Sequence, residues 1–236
     1  MKIDNNLNLL KVLACFAVVT LHVSFVCVEN LQGTNISYIL YYASTFAVPV
    51  FFMVNGALIL KKQNITYKYI SKKIISILKI VLLWNTAFVI LKFIATRKYD
   101  GIINTLVDSL LQRGFFFQFW FFGALMIIYI TLPILKKVID DKMLIKVFML
   151  IFITTVCIDI FNMYRAIKGL EIIKDIVIQT FRVWTWYLYF MLGHLIYKNK
   201  DNITKKINFK INTMLLLVFT IVCITYEVSM SNKISS

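Results

Sequence analysis

Residues 30–60 and 114–135 contain no Asp, Glu, Lys or Arg at all and are dense in aliphatic and aromatic side chains. Roughly 20 apolar residues carry an α-helix across the hydrocarbon layer of a bilayer. In that layer only a helix or a closed barrel satisfies every backbone N–H and C=O. The runs do not alternate, so helices are expected rather than barrel strands. Comparable stretches predict about seven spans, at 8–28, 37–60, 74–95, 115–135, 145–162, 178–197 and 210–227. Lys79 and Lys92 interrupt the third, and Arg182 the sixth. With 60% hydrophobic and 16% charged residues, the chain has too little polar surface to wrap a water-soluble core. The expected fold class is therefore all-α, a polytopic transmembrane helix bundle forming a single domain over 1–236. Its location is the cell membrane, as a multi-pass protein. Neither an internal repeat nor a low-complexity linker stands out.

The first apolar stretch is too long for a signal peptide, and Asp4, Asn8 and the lack of a small-residue cleavage motif argue for a retained helix. Cys15, Cys27, Cys157 and Cys223 fall within spans without C-x-x-C spacing. They are expected to be small packing residues rather than disulfide partners or zinc ligands, and no metal is expected.

Charge sets the expected orientation. The amino terminus and the loops 61–73, 136–146 and 198–210 carry fifteen of the 26 Lys and Arg residues. The opposite side carries eight: Arg97, Lys98, Arg113, Arg165, Lys168, Lys174, Arg182 and Lys233. The amino terminus is then cytoplasmic and, with seven spans, the carboxyl terminus external. A net charge of +15 fits loops lying against an anionic leaflet. The basic residues are scattered over separate loops without an interleaved aromatic platform, which argues against nucleic acid as a partner.

Ionisable groups at membrane depth are expensive and tend to mark sites or pathways. Lys11 and His22 lie eleven residues apart in the first span. At helical pitch they share a face to within about 20° and stand roughly 16 Å apart along the axis. Two readings are open. Lys11 snorkels to the inner headgroups and His22 bonds a neighbouring helix, or His22 is a catalytic imidazole below a basic anchor for an anionic cofactor. Pro49 and Pro133 are expected to kink or open spans two and four. Gly56 is expected to admit a close helix approach, with Asn55 beside it as an interhelical hydrogen bonder.

Several segments resemble the acyltransferase-3 family of membrane acyltransferases, in the family's order. LKVLACFAVVTLHV looks like its first helix, with a basic residue, ten residues and a His. FAVPVFFMVNGALIL, residues 46–60, resembles its VP-x-FF-x-x-SG helix. YISKKIISILKIVLLW, residues 69–84, is similar to its basic third helix. FQFWFFGALMIIYITLPIL, residues 117–135, resembles its WFL segment, and YLYFMLGHLIY a later span. The chain departs from the pattern at Lys11, where the family has Arg, and at Asn55, Ser76 and Gln118, where Ser, a second basic residue and His are usual. Lys keeps the charge of Arg and loses its planar fork. Family members generally run longer, with about ten spans, so an incomplete copy shortened at its carboxyl end is one expectation.

The resemblance implies transfer of an acyl group, usually acetyl, from a coenzyme A thioester to a hydroxyl of an envelope glycan or lipid-linked sugar. It assigns His22 to catalysis, Lys11, Lys73 and Lys79 to binding acetyl-CoA or a related acyl-CoA, and Asn55, Gln118 and Trp120 to the acceptor. No permanently bound cofactor is implied. Asp159, Glu29 and Arg182 stand near outer span ends, as interface residues or acceptor contacts. Trp120 reads as an interfacial anchor before a sugar-stacking platform, and His194 as a structural hydrogen bonder. The alternatives are a glycan or small-solute transporter, which should show repeated broken helices, and an inactive truncated remnant.

Overall fold

The computed structural model describes residues 4–29, 35–138, 140–206 and 208–235. Among the described residues every regular element is helical. In chain order they are α1 (Asn5–Glu29), α2 (Asn35–Ser44), α3 (Ala47–Leu60), α4 (Tyr67–Thr96), α5 (Ile102–Leu110), α6 (Trp120–Val138), α7 (Asp141–Ile167), α8 (Ile173–Ile176), α9 (Val183–Lys198), α10 (Lys200–Lys206) and α11 (Phe209–Ser235). Short 3₁₀ turns at Phe117–Phe119 and Gln179–Phe181 precede α6 and α9.

Five stretches among the described residues are long and apolar enough to cross a membrane: Asn5–Cys27, Ile36–Leu60, Tyr67–Thr96, Phe117–Lys137 and Lys142–Ile167. They coincide with the first five expected spans. α4 begins seven residues before the expected 74–95, because Thr66 caps it by accepting from the Tyr69 N–H at 3.2 Å. It stops at Arg97, which turns to the left-handed region at φ 57°. Its 30 residues span about 45 Å, more than a hydrocarbon layer, so an end carrying Lys68, Lys72 and Lys73 has room to project. The sixth expected span falls on the 16 residues of α9, its first part being the turn Gln179–Phe181. The seventh falls on α11, whose apolar stretch runs Lys210–Thr225.

Pro49 divides the second span. It has no N–H for the carbonyl of Thr45 and its ring crowds that carbonyl. The helix accordingly breaks at Thr45–Phe46, where the Thr45 N–H turns to Tyr42 at 3.3 Å and the ladder restarts from Val50 to Phe46 at 3.0 Å. Pro133 leaves α6 a single helix from Trp120 to Val138.

By contacts the chain divides into two compact units, Met1–Lys61 with Tyr189–Ser236, and Lys62–Leu188. In the first, α1 packs on α2 and α3, and α2 on α11. Asp4 caps α1 by accepting from the N–H groups of Asn6 and Leu7 at 3.2 and 3.4 Å, and pairs with Lys200 at 3.9 Å. Desolvation pushes the Asp4 carboxyl up, but the Leu7 N–H, the Tyr197 side chain, the Lys200 charge and the Asn6 N–H together hold it below its ordinary value. α3 and α9 touch backbone to backbone. A Cβ on Gly56 would strike the Phe190 carbonyl, and one on Gly193 the Met53 carbonyl. In the second unit α6 packs on α4, α5 and the turn Gln179–Phe181. Gly123 makes that approach possible, since its Cβ would stand 2.6 Å from the Leu110 carbonyl oxygen.

Outward faces are apolar. Phe16, Leu91, Leu150 and Phe219 are each about two-thirds exposed, a surface suited to lipid rather than water. The four cysteines also lie on this surface with free thiols, so the expected packing role is corrected. Each sits on an outward side of its helix, which span membership alone does not reveal.

Gly56→Ala and Gly193→Ala are expected to destabilise the chain by about 1–3 kcal/mol each, the penalty for overpacking a tight contact. Thermal unfolding in detergent measures this, and unchanged midpoints for both would contradict a backbone-contact crossing.

Candidate active site

α1 carries the two ionisable groups that the sequence singles out. Leu7, Ala14, Ala17 and Ser24 are buried and mark its packed face, whereas Val12, Phe16, Val19 and Val23 are exposed. Lys11 and His22 are both half-buried, and at 100° per residue they fall together on one shoulder of the packed face. The Lys11 ammonium turns back toward the helix start and donates to Asn8 Oδ1 at 3.0 Å, as lysines near a span end do when they carry their charge toward the headgroups. It also borders a shallow apolar groove of about 270 Å³ with Val12, Cys15, Phe16 and Val19.

α1 packs on α3, the helix of Asn55. Asn55 is half-buried, and its Nδ2 donates to the Phe51 carbonyl one turn back at 2.9 Å. Its neighbour Gly56 lies on the crossing with α9. His194, on the same α9, is buried. A mostly apolar cavity of about 280 Å³ opens among α1, α3 and α9, walled by Leu7, Leu10, Val54 and Ala57, with Asp4, Tyr197 and Lys200 among its lining. Tyr197 has Lys61 and Lys200 over its ring, at 5.3 and 4.8 Å from the centroid.

The other sequence candidates belong to the second unit. Lys73 and Lys79 are exposed on α4, and Lys73 stands 6.0 Å from the Tyr69 ring centroid. Gln118 lies in the 3₁₀ turn Phe117–Phe119 and is half-buried. Trp120 opens α6 with its ring 5.0 Å from that of Trp186. Trp186 is buried, and its indole N–H donates to the Gln179 carbonyl at 2.8 Å. Trp120 is therefore backed by a second, anchored indole. In the same unit Phe88 stacks on Phe115 at 4.4 Å and Phe116 on Phe119 at 5.0 Å, an aromatic density of the kind found at headgroup interfaces.

Arg182 donates from Nε to the Val177 carbonyl at 2.7 Å, fixing the entry to α9. Asp159 is exposed on α7. The side chain of Glu29 lies outside the described residues. Lys92, which the sequence places inside a span, pairs with Asp100 beyond the end of α4.

Sequence reasoning missed one buried polar pair. Asn85 of α4 is fully buried and donates to the Val81 carbonyl at 2.8 Å and to Ser109 Oγ at 3.1 Å. Ser109 Oγ in turn donates to the Leu106 carbonyl at 2.8 Å. Asn85 Oδ1 is buried without a hydrogen-bond partner. The only signal was an Asn inside LLWNTAF, and its partner lies 24 residues away. A second set of long-range bonds ties the turn before α9 to the end of α5. There the Gln179 N–H donates to Gln112 Oε1 at 2.6 Å and Thr180 Oγ1 to the Leu110 carbonyl at 2.7 Å.

The structure thus gathers Lys11, His22 and Asn55 in one unit, and Lys73, Lys79, Gln118 and Trp120 in the other. A family model described as an acyltransferase domain matches residues 4–234, nearly the whole chain. Neither a curated protein nor a solved structure matches it.

Proposed function

Because the chain belongs to the acyltransferase-3 family, we propose that it is a membrane-bound O-acyltransferase, moving an acetyl group from a coenzyme A thioester to a hydroxyl of a cell-envelope glycan or lipid-linked sugar. The observation that carries this reading is His22, half-buried on the first helix of the matched domain and on the same face as Lys11.

An alcohol is a poor nucleophile near neutral pH, so acyl transfer to it needs a positioned base. In the proposed reaction the neutral His22 imidazole takes the acceptor hydroxyl's proton as the oxygen attacks the thioester carbonyl. The resulting tetrahedral intermediate collapses with cleavage of the C–S bond. The proton then passes from the imidazolium to the departing thiolate, so the products are an ester and free thiol. Lys11 holds the anionic donor, and its charge at the start of α1 supports that role. Asn55, on the helix packed against α1, orients the acceptor. The bias of Lys and Arg supports an amino terminus and a donor both on the cytoplasmic side.

Sealed membrane vesicles bearing the chain, supplied with acetyl-labelled coenzyme A thioester, are expected to form alkali-labile ester on the envelope glycan when the cytoplasmic face is turned outward. Label incorporated equally by vesicles of the opposite orientation would refute the assigned sidedness, and none in either would refute the activity.

Lys11→Arg is expected to keep or improve use of the donor, and Lys11→Ala to raise KM for the thioester roughly tenfold, the loss of one charge-assisted contact. An unchanged KM in the alanine variant would remove Lys11 from the donor site.

A further inference from the structure

Three helix ends of the first unit meet at one mouth. Asp4 caps the start of α1, Lys61 follows the end of α3, and Tyr197 and Lys200 stand where α9 ends and α10 begins. Between these elements opens the apolar cavity of about 280 Å³. Leu7 and Leu10 wall it from α1, Val50, Val54 and Ala57 from α3, and Ile196 from α9. From Ala57 to Val50 its wall runs about 10 Å along α3, away from the polar mouth. The mouth carries charges of both signs. Asp4 Oδ1 accepts from the Asn6 and Leu7 N–H groups, while Oδ2 stands 3.9 Å from Lys200 Nζ. A closed charge-assisted pair lies at roughly 2.7–2.9 Å, so this pair leaves room for an intervening group. The side chains of Asp4 and Lys200 are 22% and 51% exposed, so both are reachable from outside. Lys61 and Lys200 stand over the Tyr197 ring at 5.3 and 4.8 Å.

We propose that this cavity seats one chain of a membrane phospholipid with a zwitterionic headgroup bearing a primary ammonium. The phosphate faces Lys200 and Lys61, and the ammonium faces Asp4 Oδ2. A polar mouth at helix ends above an apolar interior has the layout of a lipid, with its head at the interface and its chain inward. A carboxylate beside an ammonium complements a head that carries both charges, whereas a purely anionic head would set its phosphate against Asp4. A quaternary ammonium has no N–H to give Asp4, and the Tyr197 ring, already faced by two lysines, is a poor seat for one. The second chain of the lipid stays in the bilayer. Seated this way, the lipid braces the first turns of α1 against α3 and α9, at the base of the helix that carries Lys11 and His22. None of the groups assigned to acyl transfer takes part.

The test is native mass spectrometry of the full chain in neutral detergent, titrated with phosphatidylethanolamine, phosphatidylcholine and phosphatidylglycerol of matched chains, with thermal unfolding read in parallel. The unmodified chain is expected to hold the ethanolamine lipid at least about tenfold more tightly than either of the others, the difference made by one charge-assisted contact. It is expected to gain the most thermal stability from that lipid. Asp4→Asn keeps a side chain able to cap α1 and is expected to lose the preference for ethanolamine over choline. Leu10→Trp, at a position 43% exposed, is expected to fill the cavity and weaken the ethanolamine lipid about tenfold. It keeps the test open if Asp4→Asn folds poorly, because it leaves every charge at the mouth in place. Equal binding of the three lipids by the unmodified chain, or binding of none, overturns the proposal. Tightest binding of phosphatidylglycerol overturns it in favour of an anionic headgroup. An ethanolamine preference that survives Asp4→Asn, or binding untouched by Leu10→Trp, removes the lipid from this cavity. Dimers in place of bound lipid, lost in Leu10→Trp, would give the cavity to a second copy of the chain and equally overturn the assignment.

Discussion

A peptide N–H or C=O in hydrocarbon has no water to bond, and this one constraint shapes most of the molecule. It forces each apolar run into a helix and makes any break in the ladder a local problem with a local solution. Pro49 creates such a break, and the chain answers by ending α2 and restarting as α3 after the two residues Thr45 and Phe46. Once helices are obligatory, lipid offers them little hydrophobic reason to associate, because the bilayer is as apolar as their side chains. Association then rests on close backbone approach and interhelical hydrogen bonds. In the first unit that approach is made by Gly56 and Gly193, each facing a carbonyl of the other helix. In the second it is made by Gly123 and by the bonds linking Asn85 to Ser109 and Thr180 to Leu110.

In the proposed reaction the crossing of α3 and α9 matters because it adjoins Asn55, on a helix that packs against α1, the element that carries Lys11 and His22. Those two residues occupy a shoulder of α1, neither in the core nor fully exposed. A base at such a position has a rigid support on one side and access on the other, which general base catalysis requires.

Much of this was legible in the sequence. The first five spans follow from long apolar runs, the third in spite of Lys79 and Lys92, the shared face of Lys11 and His22 from helical pitch, and the close approach at Gly56 from a glycine inside an apolar span. What was not legible depends on partners distant in the chain. Trp120 and Trp186 meet across 66 positions, so nothing near Trp120 showed that its ring is backed by another. Nothing near Asn85 in the chain points to Ser109, 24 residues on, as its partner. Lys92 read as a charge inside the bilayer because its partner Asp100 lies past the helix end. Pro49 and Pro133 carry the same expectation in the sequence, and which of them stands beside a break between two helices was not legible there: it is Pro49, while α6 is continuous from Trp120 to Val138.

The claim on which the functional account turns is that His22 moves the proton in acyl transfer. The most direct measurement is the rate of acetylation of envelope glycan by His22→Ala and by the unmodified chain, at matched membrane levels. Loss of a positioned base is expected to slow the reaction roughly a hundred- to ten-thousand-fold. One lost interhelical hydrogen bond costs only about 1 kcal/mol, so insertion and expression should persist. An alanine variant that acetylates at the unmodified rate would contradict the account.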